Sequence, residues 1–76
     1  MVTVQVRWKG SNQPVKGSRV ALGFDGLDRG VTSPQYTDSN GEARFSGSGT
    51  GEVYVDGTTR YTGRLDGRIV VYIPGP

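Results

Sequence analysis

The chain has no cysteine and no histidine. Without thiols there can be no disulfide framework, and without thiols or imidazoles the usual zinc sites cannot be built. Thiol nucleophiles and imidazole acid–base pairs are excluded with them, which removes most mechanisms open to a very small enzyme. Alanine occurs only at 21 and 43, and no segment holds apolar residues at the i, i+3, i+4, i+7 spacing of an amphipathic helix. No apolar run approaches the ~20 residues of a membrane-spanning helix, so no membrane insertion is expected. The opening Met1-Val2-Thr3-Val4 alternates at once, without a basic stretch leading into an apolar one, so no signal peptide is expected.

A dominant charge is missing too. Nine Lys and Arg face seven Asp and Glu, a net charge of +2. The arginines at 7, 19, 29, 44, 60, 64 and 68 are scattered and form no run. That distribution gives no electrostatic footprint for nucleic acid, and nucleic-acid binding is not expected. At 76 residues the chain suits one domain spanning 1–76, because two would each bury too little surface.

What is present is period-two alternation, repeated along the chain. Val2, Val4, Val6 and Trp8 share one face of an extended segment, with Thr3, Gln5 and Arg7 on the other. Val20, Leu22 and Phe24 alternate with Arg19, Ala21 and Gly23; Ala43 and Phe45 alternate with Glu42 and Arg44; Val53 and Val55 flank Tyr54. The last run, Arg68 to Ile73, is apolar on both faces and predicts a central strand. Asp-Gly at 25–26, 56–57 and 66–67 and Asn-Gly at 40–41 are pairs suited to the positive φ of hairpin turns. Residues 9–17 and 47–51 read as longer connections. Strands are expected at 2–8, 18–24, 34–38, 42–46, 52–56, 59–64 and 68–73, with 34–38 and 59–64 at sheet edges. Seven short strands with turn signals this dense predict an all-β sandwich or barrel. The inward set is Val4, Val6, Val20, Leu22, Phe45, Val53, Val55, Ile69, Val71 and Ile73, with Trp8 and Tyr61 partly included.

Within this pattern, Gln13-Pro14-Val15-Lys16-Gly17-Ser18-Arg19-Val20-Ala21-Leu22 resembles the x-P-V-x-G-a-x-V-x-L opening of carboxypeptidase regulatory-like domains. Thr37-Asp38-Ser39-Asn40-Gly41-Glu42-Ala43-Arg44-Phe45 is similar to their T-D-x-x-G-x-a-x-F hairpin, and Gly51 to Gly57 to the G-x-Y-x-V strand that follows. Tyr61 resembles the aromatic that precedes their last pair of strands. Collagen-adhesin B-type repeats share part of the pattern. The resemblance implies a seven-stranded Greek-key β-sandwich of the transthyretin-like (prealbumin-like) kind. It further implies a non-catalytic structural or interaction module of a surface, secreted or virion-associated protein, with a protein partner or neighbouring domains in a longer chain. Pro74-Gly75-Pro76 reads as the remnant of a linker. Apart from any family, Asp38 is placed to close an Asx-turn, with Asn40 and Gly41 supplying left-handed backbone.

Four chemistries can be weighed against plain folding roles. An adhesin-type cross-link needs Lys9 and a last-strand Asn, but that strand has none and offers only Asp66 just outside it. Calcium needs clustered oxygen ligands, whereas the aspartates at 25, 28, 38, 56 and 66 are mostly explained by turns, and Arg29 adjoins the one close pair. No metal and no cofactor are expected. Single-strand nucleic acid would need Arg44, Arg60, Arg64 and Arg68 along one side of adjacent strands, with Tyr61 interleaved. Carbohydrate would need flat exposed rings, and Trp8, Tyr54 and Tyr72 are the candidates, with Tyr54 and Tyr72 expected on one sheet's outer surface. No catalytic residues are assigned.

Overall fold

In the computed structural model, residues 1–26 and 30–76 are described. Their extended segments are β1 (Val2–Trp8), β2 (Arg19–Phe24), β3 (Gln35–Tyr36), β4 (Glu42–Phe45), β5 (Gly49–Val55), β6 (Thr58–Leu65) and β7 (Gly67–Ile73), and no helix occurs among the described residues. They form a three-stranded sheet in the order β4-β1-β7 and a four-stranded sheet in the order β3-β2-β5-β6. The first and last strands run parallel, Val2 beside Gly67 and Trp8 beside Ile73; the other strand pairs are antiparallel.

One apolar cluster draws on both sheets. All ten residues of the expected inward set are in it, joined by Val2, Val15, Ala43 and Leu65, while Trp8, Phe24 and Tyr61 pack partly against it. Leu65 is fully buried because β6 runs on to pair with the beginning of β5, Leu65 lying opposite Gly49. Val15 is buried from within a connection. Its N–H donates to the Val6 carbonyl (2.9 Å), and the Trp8 N–H donates to Gln13 (2.8 Å), which ties the 9–17 segment back onto β1.

Two expected boundaries move, one for a hydrogen-bonding reason and one for a steric one. The 34–38 strand shrinks to two residues, since Pro34 has no N–H to give a ladder and Thr37 turns to bond residues 15 and 18 instead. Part of the expected 47–51 loop belongs to β5, with Gly51 opposite Phe24. A side chain at Gly51 would overlap the Gly23 carbonyl oxygen, so glycine is what permits this close pairing.

The position of β7 reverses the expectation of a central strand. It is the edge of the three-stranded sheet, and its second apolar face is open, with Val70 40% and Tyr72 50% exposed. Its Ile69, Val71 and Ile73 side chains are buried, so the run is half-covered. The 34–38 and 59–64 segments do lie at edges, as β3 and β6.

The turns follow their chemistry. Asp56 and Gly57 both have positive φ (52° and 85°), the backbone of a type I′ hairpin between β5 and β6. Asp38 Oδ1 accepts from the N–H groups of Asn40 (2.9 Å) and Glu42 (3.0 Å). Only Gly41 of the Asn-Gly pair is left-handed, with φ 76°; Asn40 is not, because the Asx-turn already redirects the chain. A Cβ at Gly41 would stand 2.6 Å from the Val6 carbonyl oxygen, so both its φ and the space around it require glycine.

Candidate functional site

The outer face of the three-stranded sheet is organised around Gln5, the central polar position of β1. In register with it are Glu42 on β4 and Val70 on β7. Gln5 is buried yet partnered at both amide atoms: its Nε2 donates to the Asn40 carbonyl (2.9 Å), and its Oε1 accepts from Arg7 Nε (3.1 Å) and an Arg68 guanidinium N–H (2.9 Å). Glu42 accepts from Arg44 and from Arg68, both at 2.7 Å. Arg7 also donates to the Asn12 carbonyl (2.6 Å). Half-exposed pairs of this kind each contribute about 0–1 kcal/mol; their larger effect is to hold the guanidinium groups flat against the sheet.

Asp38 adjoins this face, 3.8 Å from Arg44. Its carboxyl is held below the usual aspartate value, first by the Glu42 N–H, with the Asn40 N–H and the Arg44 charge adding to the effect.

The three aromatic candidates are not brought together. Tyr72 lies on the outer face of the three-stranded sheet, beside Arg7 in register. Tyr54 lies on the four-stranded sheet, opposite Ala21, so the expectation that Tyr54 and Tyr72 share one surface is overturned. Alternation places each correctly outward, but β5 and β7 belong to different sheets. The Tyr54 ring leans over Gly23, where a Cβ would meet it at 2.8 Å, and its hydroxyl donates to Glu52 (3.3 Å). Burial, then the Glu52 charge and hydrogen bond, then Asp25, push its pKa up. Trp8 is half-buried at the far end of β1, packed against the core and against Gly75. The 74–76 segment is tied there as well, since the Gly10 N–H donates to the Gly75 carbonyl (3.1 Å).

The arginine line is likewise divided. Arg44 and Arg68 face out from the three-stranded sheet, whereas Arg60 and Arg64 are on β6 of the other. Tyr61 is not interleaved with them: it is in register with the buried Val53, and its hydroxyl donates to the Arg64 carbonyl (3.0 Å). Lys9 and Asp66 sit at opposite ends of the parallel β1–β7 pair, roughly 26 Å apart by the strand rise, so no bond between them can form. Among the described residues there is no cluster of three or more potential metal ligands, and no pocket opens. Asp28 and Arg29, part of the calcium and arginine readings, lie outside the described residues.

Sequence reasoning did not single out Gln5 or Glu42 as organisers of a face. The available signal was an amide flanked on alternate positions by Thr3 and Arg7 in an otherwise valine-rich strand. Tyr36, one of the five Trp and Tyr rings of the chain but not one of the three candidates, is 64% exposed and in register with Arg19 on the four-stranded sheet. No helix among the described residues is long and apolar enough to cross a membrane. The chain matches no family model, no curated protein and no solved structure.

Proposed function

We propose that this chain is a non-catalytic structural or interaction module with a prealbumin-like Greek-key β-sandwich fold. The fold reading is supported by the two sheets contributing to one apolar cluster and by the pairing of β1 with both β4 and the parallel β7. The functional reading is carried by where the polar chemistry lies. The charged and amide side chains of the three-stranded sheet form a flat outer network in which Arg7, Arg44 and Arg68 each donate to acceptors of the same chain. Such a surface offers contact area and directional donors at its rim, and no group poised to attack or to transfer a proton. Its partner is a protein or a neighbouring domain, and the resemblance to carboxypeptidase regulatory-like domains favours a surface, secreted or virion setting.

The alternative is a carbohydrate-binding accessory module. With Trp8, Tyr54 and Tyr72 in three different surroundings, that reading rests on a single ring at a time, of which Tyr72 is the most open. Titration with a glycan panel, followed by Trp8 emission and by the Tyr72 ring resonances, separates the two. The module reading expects no saturable change. A saturable response lost in Tyr72→Ala replaces it with the carbohydrate reading.

A further inference from the structure

We propose that the β7 edge pairs with the β7 edge of a second copy of this chain, so that two three-stranded sheets join into one. This deepens the module reading by naming its partner.

The argument begins with the backbone. The Gly67 N–H donates to the Met1 carbonyl, and the Ile73 carbonyl accepts from the Lys9 N–H, so the odd-numbered residues of β7 turn their polar groups toward β1. By strand alternation, the N–H and C=O groups of Arg68, Val70 and Tyr72 point the other way. No strand among the described residues lies on that side. A row of unpaired groups is a template for strand addition unless something blunts it. The other edges are blunted. β3 is two residues long behind Pro34, β4 is short and carries Glu42 and Arg44, and β6 is polar outward and takes an extra residue near Arg60, opposite the Val53/Tyr54 irregularity. β7 runs seven residues with no Pro, no Lys and no bulge.

A second copy fits because the edge complements itself. An antiparallel two-fold centred on Val70 sets Val70 against Val70 of the second copy and Arg68 against Tyr72 of the second copy, and the reverse. Each of these three pairs would exchange two backbone bonds, about six in all. On the inner face Ile69 meets Val71 of the second copy, so the buried aliphatic layer continues across the junction. Aliphatic meets aliphatic and no like charges stand opposite, and the Arg68 guanidinium, turned back to Gln5 and Glu42, leaves only its stem beside the Tyr72 ring of the second copy. The exposure of Val70 and Tyr72 is then the surface that this pairing covers.

Strand addition alone buries less than a standard interface, so the dimer should form with a Kd between about 10 μM and 1 mM. Sedimentation of the intact chain across that range should show a shift from 8.1 kDa to twice that mass. Over the same range the amides of Arg68, Val70 and Tyr72 should gain exchange protection, with those of β6 unchanged. Val70→Pro removes one donor aimed at the second copy and leaves the β1 ladder intact. Val70→Lys sets like charges at the two-fold. Each should weaken dimerisation at least about tenfold with circular dichroism unchanged. A folded 8.1 kDa species at about 1 mM, a dimer indifferent to both variants, or protection along β6 instead would overturn the pairing and leave the module reading standing. Saturable glycan binding by the same monomer would remove the module reading itself.

Discussion

Asp56 and Arg19 clasp each other through the backbone. The Asp56 N–H donates to the Arg19 carbonyl (2.8 Å), while the Asp56 carboxylate Oδ1 accepts from the Arg19 N–H (3.1 Å). The second carboxylate oxygen accepts from the Ser18 hydroxyl (3.4 Å). One turn residue between β5 and β6 therefore also fixes the start of β2, the strand on the other side of β5.

Asp56 holds φ 52°, a conformation that Asn tolerates at least as well as Asp and Ala does not. Asp56→Asn should keep the fold close to its original stability. Asp56→Ala should cost about 1–3 kcal/mol by combining the lost acceptor with left-handed strain. Chemical denaturation of the two variants checks the ordering, and equal midpoints would show that the clasp contributes nothing.

Thr37 joins two connections in the interior. It is 4% exposed, its hydroxyl donates to the Val15 carbonyl (2.6 Å) and accepts from the Ser18 N–H (2.9 Å). Thr37→Val keeps the shape and strands both backbone groups, so it should destabilise by about 2–4 kcal/mol. Thr37→Ser keeps the hydroxyl and should lose less. Urea unfolding followed by Trp8 emission provides the measurement.

Asp38 makes stability depend on acid. Its folded pKa is lowered, chiefly by the Glu42 N–H, so the contribution is complete above the unfolded value of about 3.9. It is lost as pH falls through the depressed folded value. Asp38→Asn retains an oxygen acceptor for the turn but not the charge. Thermal melts between pH 7 and pH 2 should therefore fall less steeply below about pH 4 than those of the original chain. Parallel curves would exclude Asp38 from the acid response.

Alternation and turn chemistry are local, and they made much of this molecule readable. Val4, Val6, Val20, Leu22, Val53 and Val55 could be placed inward from neighbours one or two residues away, and Asp56-Gly57 could be recognised as a hairpin turn from its two side chains alone. Val15 and Leu65 were not legible in this way. Each is buried by a long-range event: the docking of 9–17 onto β1, and the extension of β6 past the polar residues that frame it. Gln5 shows the same limit from the polar side, because its partners Asn40 and Arg68 are 35 and 63 residues away.

The sequence by itself determined which side chains share a face of each strand, because a period of two is a property of the extended backbone. Only the tertiary structure decided which strands share a sheet. It separated Tyr54 from Tyr72 and Arg60 from Arg68, and among the described residues it left β7 with one neighbouring strand and an open edge. The reason is that pairing between β1 and β7 is settled by closing a loop of nearly the whole chain, and no local pattern of residues reports which edge that closure will leave uncovered.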